Sequence, residues 1–200
     1  MAGITPETKR IATLSSGKSR GSNLLAIYRY FELRELPVQI ALAVFTDGAS
    51  PACQSCRELQ IPTRVISARD MKSFEQAFAD LIFDIEPDLI ALCGFMRLLS
   101  SDLLARIKVP VLNIHPALLP KYGGKGMYGM AVHEAVFAAG ERISGATIHT
   151  VDPIYDHGNI IAQKEVDISA CKSPADIAHN VLKIEHEIYA KAIYHELFKA

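Results

Sequence analysis

Asn113-Ile114-His115-Pro116 sets an amide and an imidazole two residues apart at the end of an apolar run. Alternate residues of an extended backbone share a side, so Asn113 and His115 fall together. Pro116 disfavours helical torsions at His115 and helps to hold that geometry. Such a pair can donate to one developing oxyanion while the imidazole handles a proton. A third polar group is needed to orient the ring or shuttle protons, and Asp152, Asp156 and His157 share one turn region. A carboxylate there would favour the imidazolium and raise the His115 pKa. An Asp near Pro or Gly is also good turn chemistry, so spacing leaves Asp152 and Asp156 both open. A second stretch, Ser15-Ser16-Gly17-Lys18-Ser19-Arg20-Gly21-Ser22-Asn23, lies between a short strand and a helix. Its glycines let the backbone approach an anion, the helix start offers unpaired N–H groups, and Lys18 and Arg20 add positive charge. The spacing matches neither a Walker loop nor a dinucleotide fingerprint. A well-capped βα turn is the competing reading.

These groups need elements to hold them. Ile11–Leu14, Val38–Phe45, Thr63–Ile66, Asp88–Cys93 and Val109–Asn113 read as strands. Asn23–Leu36, Pro51–Gln60, Ser73–Ile85 and Ser101–Ile107 read as helices between them. The continuous apolar character of Val38–Phe45 suits a strand covered on both faces. The alternation predicts an α/β fold, a single doubly wound, mostly parallel sheet with helices on both sides. Gly145–Val151 and Ile160–Val166 are β-rich runs joined by a turn, which predicts an antiparallel C-terminal extension. Ser173-Pro174 opens a final helix with Ile177, Val181, Ile184 and Ile188 on one face. In open sheets of this kind ligands collect at the carboxyl ends of the strands. That rule brings Ser15–Asn23, Gly94–Leu99 and Asn113–Tyr128 to one rim.

The 200 residues suit one domain, residues 1–200, with residues 1–9 as a flexible N-terminal extension. Half the residues are apolar and the net charge is −1, so nothing advertises nucleic acid or an anionic membrane as a partner. No apolar run reaches the ~20 residues of a membrane span. Met1–Arg10 is polar and lacks a signal-peptide core, so a cytoplasmic protein acting on small molecules, monomer or homodimer, is expected. Cys53 and Cys56 have CxxC spacing within a helix but no second pair to complete a zinc site, and they read as ordinary helix cysteines.

Several segments occurring in order carry a resemblance. They are Gly21-Ser22-Asn23-Leu24, Gly94-Phe95-Met96-Arg97-Leu98-Leu99-Ser100, Asn113 through Tyr122, and His149 through Asp156-His157-Gly158. Together they resemble the phosphoribosylglycinamide formyltransferase family, folate-dependent enzymes of purine synthesis, from about Ile11 to the last helix. The resemblance implies the Rossmann-like formyltransferase fold. It also implies formyl transfer from 10-formyltetrahydrofolate, as co-substrate, to the amine of glycinamide ribonucleotide, without a metal. Asn113, His115 and Asp156, rather than Asp152, match the family's catalytic residues. Gly21, Ser22 and Asn23 match its ribose-phosphate loop, and Glu185 matches a substrate-contacting Glu. Met96, Arg97, Leu98 and Leu99 match its folate-lining segment, with Val151–Asp156 as the other wall. Three departures bear on the amine acceptor: two extra residues around Lys18–Arg20, Gly123-Gly124-Lys125-Gly126-Met127-Tyr128 where many members carry His-x-His, and Leu182 where many carry Gln. A related formyltransferase, a formyltetrahydrofolate hydrolase, or a non-catalytic phosphometabolite-binding module on the same scaffold are the rival readings. Activity is expected to fall at low pH as the amine protonates and at high pH as His115 loses its charge.

Overall fold

The structure is a computed structural model that describes residues 7–17 and 19–199. Apolar runs of β-branched and aliphatic residues give β1 (Lys9–Ser15), β2 (Val38–Phe45), β4 (Leu89–Leu92) and β5 (Val111–His115), while the short, more exposed β3 (Thr63–Val65) forms the sheet edge. Between them lie α1 (Ser22–Glu32), α2 (Pro51–Glu58), α3 (Met71–Ile85) and α4 (Ser101–Ile107). The chain then forms α5 (Met130–Ala138), β6 (Ile143–Thr150), β7 (Ile160–Asp167) and α6 (Pro174–Phe198). One sheet has the order β3-β2-β1-β4-β5-β6-β7. Neighbours from β3 to β5 pair in parallel, while β5–β6 and β6–β7 pair antiparallel. Strand order therefore reverses beside β1 and β4, where the crossovers diverge and leave a crevice at the strand ends.

Two cores follow from the period of two along the strands. Ile11, Leu89, Ala91 and Leu112 pack with α1, α2 and α6 on one face, and Leu14, Ile90, Leu92 and Val111 pack with α3 and α4 on the other. Side-chain caps set several helix starts: Ser50 accepts from the Cys53 N–H, Asp70 from Ser73, and Ser100 from Leu103. The Asp70 cap starts α3 two residues ahead of the expected Ser73. Strand β5 lies two residues later than expected, so Asn113 and His115 are both held in the ladder. Helix α5 has no counterpart in the sequence reading. Its cap, Gly129, offers no side chain, and its apolar residues spread around the helix instead of forming a stripe.

The long α6 crosses under the sheet. Tyr189, 1 % exposed, donates to the carbonyls of Leu92 and Leu112 at 2.9 Å each and ties β4 to β5. The expected extension at residues 1–9 falls mostly on residues 1–6, outside those described, and Lys9 already belongs to β1. Among the described residues no helix is long and apolar enough to cross a membrane. Cys53 and Cys56 are fully buried, and burial pushes the Cys56 thiol up to about 12, as expected of inert core thiols.

Candidate active site

Strand β5 carries Asn113 and His115 to the crevice, because alternation turns Val111, Asn113 and His115 to one side and Leu112 and Ile114 to the other. The loop after His115 is pinned from β6. Buried Thr147 donates to the Ala117 carbonyl at 2.6 Å and accepts from the Leu119 N–H at 3.0 Å and from Gln163 Nε2 at 2.8 Å. That anchoring fixes the Tyr122 carbonyl 2.8 Å from His115 Nε2. A carbonyl only accepts, so Nε2 carries the hydrogen, and Nδ1 is left to exchange a proton.

Nδ1 faces Asp156 Oδ2 at 3.5 Å, and both side chains are largely buried. Oδ2 also accepts the Gly124 N–H at 2.9 Å, which the glycine's φ of 95° permits. Tyr122 and Asp156, whose groups flank the two ring nitrogens, have φ of 57° and 54°. Left-handed backbone at such residues stores strain on the order of 1 kcal/mol each, of the kind found at functional sites. Asp152 takes the other role left open by the sequence. Its carboxylate holds His157 Nδ1 at 2.6 Å and caps the Ile154 N–H at 2.8 Å, bracing its own loop.

The net shift of the His115 pKa is downward, where a carboxylate alone would raise it. Burial, the largest influence, holds its pKa below the ordinary value. Asp156 and the Tyr122 carbonyl pull the other way, and His149 adds to the fall. The carboxylate faces the ring and raises its pKa, but desolvation outweighs it.

These groups border a cavity of about 500 Å³, a size that accommodates a small organic ligand. Asn113, His115, Asp156, Asn23, Glu185 and all four residues of Met96–Leu99 line it. Asn23 Nδ2 donates to Glu185 Oε2 at 2.6 Å, across 162 residues of sequence. Glu185 is 8 % exposed, and burial raises its pKa against the lowering effect of Asn23. Gly21 and Ser22 do not border the cavity; they open α1, the helix that presents Asn23. Gly21 caps that helix with φ of 76° and no side-chain hydrogen bond, and a Cβ there would lie 2.7 Å from Ala52 Cβ. The first-turn donors of α1 therefore lack a side-chain cap. Lys18 lies outside the described residues. Arg97 and Lys125 bring positive charge to the cavity, and Met96, Tyr128 and Ile154 leave apolar surface exposed around it.

Two histidines of the cavity were given no role by the sequence reading. His149, on β6, sits opposite Asn113 in the antiparallel ladder, and its Nε2 lies 3.1 Å from Asn113 Nδ2 and 3.6 Å from Asp156 Oδ1. Its signals were an imidazole in a β-rich run and its place at the head of the segment from His149 to Gly158 that carries the resemblance. His133, on α5, is 5 % exposed with its Nδ1 buried and unpaired; burial and His115 push its pKa down to about 4. Among the described residues no group of three or more His, Cys, Asp or Glu is arranged to hold a metal ion.

Comparison with known proteins gives this arrangement relatives. The chloroplastic phosphoribosylglycinamide formyltransferase of Vigna unguiculata is 35 % identical over 195 residues, covering 96 % of this chain and 62 % of that protein. The chain spans 65 % of the similar Arabidopsis thaliana protein, so it covers just under two thirds of either plant relative. The phosphoribosylglycinamide formyltransferase of Bacillus subtilis (strain 168) is 32 % identical, with 92 % of this chain and 93 % of that protein aligned. The crystal structure of phosphoribosylglycinamide formyltransferase from Brucella melitensis superposes with a TM-score of 0.86 at 29 % identity, covering 97 % and 98 % of the two chains. The Bacillus halodurans enzyme superposes at 0.85 with 27 % identity and 96 % of each chain. A family model described as formyl transferase matches residues 9–193, nearly the whole sheet and its helices, and the chain belongs to the formyl transferase family.

Proposed function

We propose that this chain transfers the formyl group of 10-formyltetrahydrofolate to the primary amine of glycinamide ribonucleotide, with Asn113, His115 and Asp156 as the catalytic residues. The convergence of an amide donor, an imidazole whose Nδ1 faces a carboxylate, and that carboxylate on one cavity carries the reading. The amine attacks the formyl carbon, and the carbonyl oxygen becomes an oxyanion. Asn113 Nδ2 donates to that oxygen, and removing a single donor of this kind costs roughly 3 kcal/mol in comparable acyl chemistry. Neutral His115 takes the amine proton at Nδ1, directly or through one water, and the imidazolium so formed pairs with Asp156. Collapse of the tetrahedral adduct breaks the bond to the folate nitrogen, which leaves with the proton.

The ends of the two substrates call for different surroundings. Gly21, Ser22 and Asn23 open a helix without a side-chain cap, a suitable start for a ribose phosphate. Glu185, held by Asn23, offers acceptors to ribose hydroxyls or the glycinamide N–H. Met96, Arg97, Leu98 and Leu99, with Val151 to Asp156 opposite, form the more apolar wall suited to a folate ring. The residues act together as one domain. The test is a spectrophotometric assay with 10-formyltetrahydrofolate and glycinamide ribonucleotide, run beside His115→Ala. Amine-dependent loss of formylfolate that the variant abolishes supports the proposal. Equal loss without the amine would mark a hydrolase, and folate binding without any turnover would mark a binding module.

A further inference from the structure

We propose that His149 is a positioning residue that decides which end of the Asn113 amide meets the reacting oxygen. The inference deepens the formyl-transfer reading and rests on it for its kinetic consequences, but not for its structural one.

The two ends of a carboxamide are nearly equal in size, so packing alone does not choose between them. Hydrogen bonding does. His149 Nδ1 lies 2.8 Å from the Thr150 backbone carbonyl. That oxygen cannot donate, so Nδ1 carries the hydrogen, and the neutral ring keeps its lone pair at Nε2. Asn113 meets this lone pair from 3.1 Å and must present its NH₂ group there. One N–H is then taken by the ring, and the second remains for the cavity that Asn113 lines. A hydrogen on His149 Nε2 reverses the outcome. The ring would draw Oδ1 instead, and an acceptor would stand where an oxyanion needs a donor.

The surroundings make this choice a real one. The ring is 3 % exposed, so water does not substitute for either partner. Asp156 Oδ1 is 3.6 Å from Nε2 and attracts a proton to it. Asp152, on the same connection, is engaged by His157 and the Ile154 N–H, and His115 stands near the ring on β5. Against that pull, Asp156 Oδ2 is already engaged by the Gly124 N–H and faces His115. Ladder pairing of Asn113 with His149 fixes the two side chains at adjacent positions on neighbouring strands.

The experiment combines a double-mutant cycle with ring NMR. His149→Leu removes the acceptor; it should lower kcat by about 30- to 100-fold while KM stays within about threefold, as expected when a transition-state donor is lost. In an Asn113→Ala background the same change should cost less than about threefold more, because the effect passes through the amide. His149→Gln, whose Oε1 can accept, should recover most of the lost kcat. Penalties that multiply in the double variant, or a Gln variant as impaired as Leu, would overturn the proposal. Independently, ¹⁵N spectra of the wild-type protein should show His149 neutral with Nδ1 protonated, whereas a ring protonated at Nε2 overturns it without any substitution. The tautomer is read without turnover. An inactive wild type with that tautomer therefore faults the assigned reaction, and an active one with multiplying penalties faults the role of His149.

Discussion

Replacing His133 by Leu should make the protein less sensitive to acid. In the folded chain burial and His115 depress the His133 pKa from 6.5 to about 4, with Nδ1 unpaired. Between those values the unfolded chain binds a proton that the native state does not. Stability is therefore fully present above the unfolded value and is lost as pH falls toward the folded one. Linkage with these two values removes roughly 1.8 kcal/mol between pH 7 and pH 5 at about 1.4 kcal/mol per unit. One side of the ring borders the solvent-open cavity, so screening reduces the expected reading to about 1 kcal/mol. Leu has similar bulk and no titration, and the swap avoids a large void. Urea unfolding of both proteins at pH 7, 6 and 5 isolates this term, since every other titrating group is shared. The wild type should lose about 1 kcal/mol more than the variant over that range. Parallel stability curves would refute the reasoning and place His133 in contact with solvent or a partner.

Asn113→Ala should lower kcat by about a hundredfold with KM within a few fold, read by steady-state kinetics. Because burial holds His115 below its ordinary pKa and the neutral ring accepts the proton, kcat should rise as pH climbs through that lowered value. It should then stay level to about pH 9, where the sequence alone suggested a decline. A kcat that falls above neutral pH would restore the imidazolium as the working form. Gly123→Ala places a Cβ 2.5 Å from Leu119 Cδ2 and 3.2 Å from Asp156 Cβ. Crowding of this kind costs about 1–3 kcal/mol of stability, and displacement of the carboxylate should lower kcat at least about tenfold. Unchanged kcat in a folded Gly123→Ala protein would separate Asp156 from the chemistry.

The sheet was legible because each buried strand is a continuous apolar run, and the alternation of Asn113 with His115 transferred directly into β5. Other features depend on partners remote in sequence. His149 looks like one more residue of β6 until the register against β5 sets it beside Asn113. Spacing left Asp152 and Asp156 both open; Asp156 is the one that faces His115, on left-handed backbone and bonded by the Gly124 N–H, neither of which has a pattern in the sequence. Helix α5 lacks both a side-chain cap and an apolar stripe, and His133 was missed with it. The pKa of His115 is a competition between burial and a nearby carboxylate. Sequence spacing supplied the carboxylate and not the burial.

The bond between Asn23 and Glu185 joins a residue of the first helix to one of the last, 162 positions apart. Closing a chain over that separation is entropically slow compared with forming a helix or a neighbouring strand pair. During synthesis the Asn23 end of the crevice therefore stays unfinished until α6 emerges and docks. In a refolding experiment, recovery of substrate binding should lag behind recovery of helical signal, with the delay set by arrival of the C-terminal helix.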